Sequence, residues 1–273
     1  MEKITVFGSK GMLGYAVTEY FKRNDYRVKT ITRDEFDIAK DDHSNLYELL
    51  NDTDIVINCA GVIKPRIKDM SEVDVLRVNS IFPHNLAKVC NQKNIKCFHI
   101  TTDCVYSGKK GNYDENDLFD ADDLYGTSKN GGDSADCMVL RTSIIGEENG
   151  QSRSLLEWAR SQAGKEVNGF LNHDWNGVTT VYLAEIIDTI LKQQLYQKGI
   201  FHIHSPKSVN KFELVSYFNE AYDLNMKINP VNAETVVDRT MNSVKNISGI
   251  VCTKSIERQI SEMHAFFNFV LVE

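Results

Sequence analysis

Tyr125 and Lys129 stand four residues apart, one helical turn from each other if this stretch is helical. A hydroxyl residue, Thr102, lies upstream, where the apolar run Ile95 to Ile100 should end as a strand. A phenol near pKa ~10 is a poor acid or base at neutral pH. An ammonium one turn away favours the phenolate and lowers that value, so that the phenol can give its proton to a carbonyl oxygen. Thr102 would hold the same oxygen. By itself the Tyr-x-x-x-Lys spacing is common and can simply open a surface helix. The surrounding elements decide its meaning.

The chain opens with a β-prone run, Ile4 to Phe7, then Gly8-Ser-Lys-Gly11-Met-Leu-Gly14 and an amphipathic helix to about Lys22. Glycines there let the backbone approach phosphates, and the helix N-terminus supplies N–H donors. This spacing predicts a dinucleotide pyrophosphate against Gly8, Ser9, Lys10, Gly11, Met12 and Leu13. Arg27 to Thr32 is the expected second strand. Its tip carries Thr32 and Arg33 rather than a carboxylate, which favours the 2′-phosphate of NADP. The alternative is a solvated arginine, with Asp34 or Glu35 serving the ribose of NAD. Asp37 and Ile38 should pass the adenine. The apolar run from Asp54 reads as a buried parallel strand ending in Cys59, Ala60 and Gly61, small enough to admit a cofactor. A helix from Asp74 to Val89 carries Asn79, and Thr101 closes the next strand. With a nicotinamide placed this way, Lys129 would also grip its ribose, and hydride would arrive as Tyr125 gives its proton.

Strands alternating with helices predict an α/β fold, a doubly wound parallel sheet of Rossmann type. Residues 1–145, with 178–204 returning to them, form the expected NADP-binding domain. Residues 146–177 and 205–273 form a smaller interleaved substrate lobe. After Lys129 the chain should hold a strand Met138 to Gly146, and helices at Ser154 to Gln162, Val181 to Gln193, Lys211 to Tyr222 and Lys254 to Phe267. Phe170 to Thr180 reads as a loop, Ile200 to His204 as a strand, and Val236 to Val244 as a strand or loop. The 273 residues carry a net charge of −7. No basic run offsets that charge, which argues against nucleic-acid or membrane-surface partners. The six cysteines show no metal-ligand spacing, so no metal is expected, and a reducing cytoplasm suits them. The strand begins at once, without a visible signal peptide.

Taken together, these stretches resemble the extended short-chain dehydrogenase/reductase superfamily, and most of all its dTDP-4-dehydrorhamnose reductase branch. The matching residues are Gly8 to Gly14, Asp54 to Ala60, Val78-Asn79, Thr101 to Gly108, Tyr125 to Lys129 and Leu140 to Ser143. The resemblance implies Thr102, Tyr125 and Lys129 as a catalytic triad, NADPH as cofactor and a nucleotide sugar against the C-terminal lobe. A homodimer is left open. Arg141 to Gly146, Ser154 to Trp158 and Trp175 to Thr180 look like a narrower subgroup that reduces UDP-2-acetamido-2,6-dideoxy-hexos-4-uloses. That subgroup serves the route to UDP-N-acetyl-L-rhamnosamine, and some members epimerise C3 first. The chain departs from the branch between Lys129 and Met138, where a short glycine-bearing segment must truncate the helix. It departs again at Cys104, where simple reductases often hold a tyrosine.

Cysteine at this place resembles that of epimerase/reductases such as GDP-fucose synthases. A 4-keto group acidifies the C3 and C5 protons, and a thiolate at Cys104 would remove one. If the strand persists, residues 102 and 104 face the same side. His173, Lys165 and Arg153 are the available return acids. The alternative is a small buried thiol. Val105, with Thr102 and Cys104, should line the sugar site. Trp175 and Asn176 either cover the sugar or anchor their loop, and Arg239 suits a diphosphate or a surface ion pair. Two rival functions use the same fold: an NAD-retaining 4-epimerase or dehydratase, and a non-catalytic NADP-binding regulatory subunit.

Overall fold

The computed structural model describes residues 1–133, 136–150 and 154–270. Six parallel strands make the central sheet: β1 (Lys3–Phe7), β2 (Arg27–Ile31), β3 (Ile55–Asn58), β4 (Lys96–Thr102), β5 (Met138–Thr142) and β6 (Gly199–His202). Their order is β6-β5-β4-β3-β1-β2. All five pairings are parallel, which is the doubly wound sheet expected from the alternation of elements. The order reverses between β1 and β3, so a crevice opens beyond their carboxyl ends, the usual ligand position in such sheets.

The sheet's apolar residues sort by parity, as a period of two requires. Ile4, Val6, Ile55, Ile57, Phe98, Ile100, Met138 and Leu140 face one core. The helices α1 (Met12–Arg23) and α4 (Thr180–Lys192) cover that face with Val17, Phe21, Ile186 and Ile190. Phe7, Val56, Cys97 and Val139 face the other core, under α2 (Phe82–Gln92) with Phe82 and Leu86. Burial on both faces is why β3 and β5 read as unbroken apolar runs. Emptying one such position, as in Phe82→Ala, would cost about 3–5 kcal/mol.

Polar residues break this apolar pattern at one end only. Asn58, His99, Thr101 and Arg141 share the α2 face of the sheet and are all buried. The helix α3 (Leu124–Gly132), which carries Tyr125 and Lys129, lies over that end. Two helices of the second lobe, α5 (Lys211–Ala221) and α6 (Ile256–Val270), pack around Trp175, Leu156 and Leu214 in a third core. A reciprocal cap starts α5: Asn210 accepts from the Glu213 N–H, and Glu213 accepts from the Asn210 N–H.

The expected helix Asp74 to Val89 is interrupted. Glu72–Leu76 and α2 are joined by a π-helical turn, Arg77–Ile81, that contains Asn79. Pro83 has no N–H to offer the carbonyl four residues back, which is Asn79's, so the ladder opens there. The expected loop Phe170 to Thr180 is in fact cut by short strands. His173–Trp175 pairs with Val209–Asn210 and Val237–Asp238, and Val178–Thr179 pairs with Ile144–Ile145. Strands of two or three residues have no periodicity to read. Among the described residues, no helix is long and apolar enough to cross a membrane.

Candidate active site

Gly8 ends β1 at a φ of +76°, a conformation that favours glycine, and a Cβ there would sit 2.8 Å from Ala60. The glycine turn therefore lies directly against the Cys59-Ala60-Gly61 stretch after β3. Ser9 and Leu13 are buried, while Lys10 and Gly11 face solvent. Gly11 precedes α1 and gives it no side-chain cap, which leaves first-turn N–H groups free for an anion. At the tip of β2, Thr32 donates its N–H to Glu35 (2.8 Å) and Lys10 pairs with Asp34 (3.2 Å). Arg33 lies 3.5 Å from Asp37, whose other oxygen accepts the Ala39 N–H (2.9 Å). These carboxylates are all engaged locally. Ile38 gives its carbonyl to the rings and guanidinium behind it, His43 and Arg77. Residues Gly8 to Leu13, Cys59 to Gly61 and Arg33 thus suit a dinucleotide with an additional phosphate.

Two residues expected at the cofactor, Asn79 and Thr101, are buried. Asn79 is buried, and its amide bonds both polar groups of Val62 (2.8 and 3.1 Å) and the Ser128 hydroxyl (3.0 Å). It holds the stretch after Gly61 against α3. Thr101 points into the polar end of the sheet, where its hydroxyl has no hydrogen-bond partner among the described residues.

Asp123 caps α3 by accepting the Gly126 N–H (2.7 Å), and its other oxygen binds Lys64 (2.6 Å). Gly126 permits a close approach, because a Cβ there would lie 2.6 Å from the Cys104 carbonyl oxygen. The first turn of α3 therefore meets the end of β4, and Tyr125 comes beside Thr102 and Cys104. Lys129 is 5% exposed and donates to the Ile100 carbonyl at 3.2 Å. β4 stops at Thr102 and Asp103–Val105 is a 3₁₀ turn, so Cys104 is no longer in strand geometry. It stays near Thr102 because its N–H donates to the Thr102 hydroxyl (3.1 Å), which in turn donates to Asp103 (3.1 Å).

Burial pushes the Tyr125 phenol above its ordinary value, with Cys104 adding to the rise and Thr102 opposing it. The expected lowering by Lys129 is absent. Burial also acts on Lys129, lowering it to about 8 against the opposing pull of Asp133 and Cys59. The phenol is therefore a protonated donor, the form that reduction of a carbonyl requires. Burial and Asp103 push the Cys104 thiol up to about 12, while Thr102, Arg239 and Lys64 act against them.

Several residues expected at the substrate are held by the protein's own packing and hydrogen bonds. Val105 is fully buried with Tyr106 and Tyr113. Trp175 packs into the core of the second lobe. Asn176 pairs both ends of its amide with the Met241 backbone (2.7 and 2.9 Å), so it too anchors its loop. Of the proposed return acids, His173 bonds the Thr235 carbonyl and Lys165 donates to the Ser161 carbonyl. Arg153 lies outside the described residues. Arg239 is well placed: it donates to the carbonyls of Tyr106 (3.0 Å) and Ser107 (3.2 Å), and its charge reaches Asp103 and Cys104.

Sequence reasoning missed Asp103, a buried carboxylate raised by its burial, and Lys211. Lys211 begins α5, is lowered by burial, and lies within reach of Asp103 and Arg239. Neither had a spacing signal, since they meet only through the packing of the second lobe. Two shallow concavities lie elsewhere, one of about 300 Å³ lined by Lys3, Asp52 and Lys93 and one of about 360 Å³ lined by Leu195, Phe201 and Lys245. Neither includes any residue of this site.

A glycine-turned dinucleotide fold with a tyrosine and lysine one turn apart defines an extended short-chain dehydrogenase/reductase. More narrowly, the chain belongs to the RmlD substrate binding domain family, whose model matches residues 1–260. It is similar to a Mycobacterium tuberculosis dTDP-4-dehydrorhamnose reductase, 24% identical over 201 residues, which are 70% of this chain and 65% of that protein. The match thus spans just under two thirds of that relative's length. It is also similar to the methionine adenosyltransferase 2 subunit beta of Xenopus tropicalis, 24% identical over 85% of this chain and 75% of that protein. Among solved structures, a Bacillus anthracis dTDP-4-dehydrorhamnose reductase in complex with NADP superposes with a TM-score of 0.79 at 19% identity, over 97% of this chain and 99% of that chain.

Proposed function

We propose that this protein is an NADPH-dependent reductase of the C4 keto group of a nucleotide-linked 4-keto-6-deoxy-hexose. The observation that carries this reading is the protonated Tyr125 phenol beside Thr102, one turn before a buried Lys129. The bound cofactor supplies the hydride to C4. Tyr125 gives its proton to the C4 oxygen. Thr102 turns its hydrogen from Asp103 to the same oxygen and shares the developing charge. Lys129 stabilises the phenolate that remains and holds a ribose hydroxyl. Arg239 and Lys211 face the site as cations, one a planar fork and one a point charge, and suit the substrate's diphosphate. The relatives' names support a dTDP sugar, and the narrower sequence resemblance supports a UDP-2-acetamido sugar.

Cys104 supports a finer reading, in which C3 is epimerised before reduction. A thiol held near 12 supplies only about one thiolate in 10⁵ at pH 7. Bound substrate would have to lower that value, and Arg239 and Lys64 are the cations near enough to assist. The rival reading, a binding subunit, has the named relative in its favour but leaves the complete Thr102, Tyr125 and Lys129 set unused.

The test is oxidation of NADPH with a panel of dTDP- and UDP-linked 4-keto-6-deoxy sugars. Tyr125→Phe should lower kcat by at least about 100-fold while NADPH still binds. Unchanged turnover in that variant, or no turnover of any such sugar by the folded wild type, overturns the proposal.

A further inference from the structure

The polar end of the sheet beneath α3 contains an ion pair that the proposed reduction does not use. Asp133 follows the last residue of α3, four residues after Lys129, and so lies one turn further along the same side. One of its oxygens pairs with Arg141 on β5. Both side chains are almost fully buried, at 2% and 0% exposure. The other oxygen, Oδ1, is buried and has no hydrogen-bond partner among the described residues. Arg141 has a rigid seat. Its Nη1 donates to the Tyr106 hydroxyl (3.1 Å) and to His202 Nε2 (2.9 Å), and its plane lies over Phe119 at 4.7 Å. Its register partner on β4 is Thr101.

Lys129 is poorly solvated by comparison. Its ammonium has one hydrogen-bond acceptor among the described residues, the Ile100 carbonyl. Asp133 apart, the other groups set around it among the described residues are uncharged or positive. Cys59, from the end of β3, is a buried thiol raised by its burial and therefore neutral. His99, on β4, is held well below its ordinary value, first by burial and then by Lys129, and is neutral too. His84, on α2, bonds the Gly131 carbonyl at the surface. Tyr125 is a protonated phenol, and Arg141 on β5 is a second cation. Asn79 and Ser80, from the π turn, are neutral and bonded to Ser128. Among the described residues, Asp133 is thus the one carboxylate set against two buried cations, and its Oδ1 has no hydrogen-bond partner there.

We propose that Asp133 is a positioning residue that keeps Lys129 charged, and that Arg141 limits how strongly it does so by holding the other oxygen. Removing the carboxylate leaves two buried cations unopposed, and the one able to lose its proton is Lys129. Removing Arg141's charge acts in the opposite sense. This rests on the role given to Lys129 above, but the test does not need the sugar substrate.

NADPH binding is followed by nicotinamide fluorescence from pH 6 to 10. Wild type should lose affinity above a break near 8, where Lys129 gives up its proton. Asp133→Asn should move that break toward acid by about one pH unit or more, with affinity at pH 6 retained. Asp133→Glu should restore it. Arg141→Gln, which keeps an amide donor for Asp133, should move the break toward alkali. Circular dichroism identifies a variant that has not folded, and either folded variant decides the question alone. An unmoved break in folded Asp133→Asn or folded Arg141→Gln overturns the proposal. Binding of NADPH without reduction of any 4-keto sugar would refute the reductase reading and leave this one standing.

Discussion

Cys104 lies beside Thr102 and Tyr125 as a protonated thiol. Its N–H is tied to Thr102, its carbonyl meets Gly126, and its thiol is pushed up to about 12 by burial first and Asp103 second. A thiol in that state contributes nothing to hydride transfer or to protonation of C4. Cys104→Ser should therefore keep kcat for reduction within about threefold of wild type, since the swap is nearly isosteric. Epimerisation is read separately, by product NMR after turnover in D₂O. Deuterium at C3 in wild type and its absence in Cys104→Ser would assign the base. Absence from wild type removes the epimerase step and leaves a plain reductase. The proposed catalytic three were legible because Tyr125 and Lys129 share one helix and Thr102 ends an apolar run. The Lys129 environment was not. Its neighbours Cys59, His99, Asp133 and Arg141 come from three strands and a helix end, and no spacing links them.

At the scale of elements, two contacts position α3, and glycines make both. A Cβ on Gly132 would lie 2.0 Å from the Asn79 carbonyl, and one on Gly126 would lie 2.5 Å from the Ala121 Cβ and 2.6 Å from the Cys104 carbonyl. The Asn79 carbonyl in the π turn and the 3₁₀ turn after Thr102 therefore clamp the helix from both ends. Backbone atoms cannot give way as a flexible side chain can. Gly126→Ala should force α3 outward and cost about 1–3 kcal/mol of stability. Moving Tyr125 by about an ångström should also lower kcat by roughly 100-fold, with a smaller change in KM for NADPH. Thermal melts and steady-state kinetics measure the two effects. Wild-type kcat in Gly126→Ala would show that the clamp does not set the tyrosine. The sequence signalled a shortened helix after Lys129, but not this function of its glycines, because each one's constraint lies in a distant segment.

The whole molecule depends on how the second lobe is strapped to the sheet, which was the least readable feature of the chain. Alternating strands and helices announced the parallel sheet. The lobe's strands pair across long separations, as Lys227–Val231 does with Glu166–Phe170. Tyr113 likewise pairs with Met241 in a single bridge. Glu115 is the main polar strap. Its carboxylate accepts from the His202 N–H on β6 (2.9 Å), the Ser243 hydroxyl (2.6 Å) and the Val244 N–H (2.9 Å). It thereby joins the segment after β4 to the sheet edge and to the loop that follows Arg239. Burial works against the charge, but these three donors outweigh it and hold Glu115 below its ordinary value. A carboxyl lowered on folding stabilises the protein above its unfolded value of about 4.3, and that contribution is lost as pH falls through the folded value. Glu115→Gln should therefore lower stability by about 1–2 kcal/mol at pH 7, since the group is half-exposed and its charge partly screened. The gap from wild type should narrow as pH falls below the unfolded value of about 4.3 and the unfolded carboxylate takes up its proton first. Denaturant melts at pH 7, 5 and 3.5 measure this, and a gap that stays constant across the series would assign Glu115's contribution to packing rather than charge.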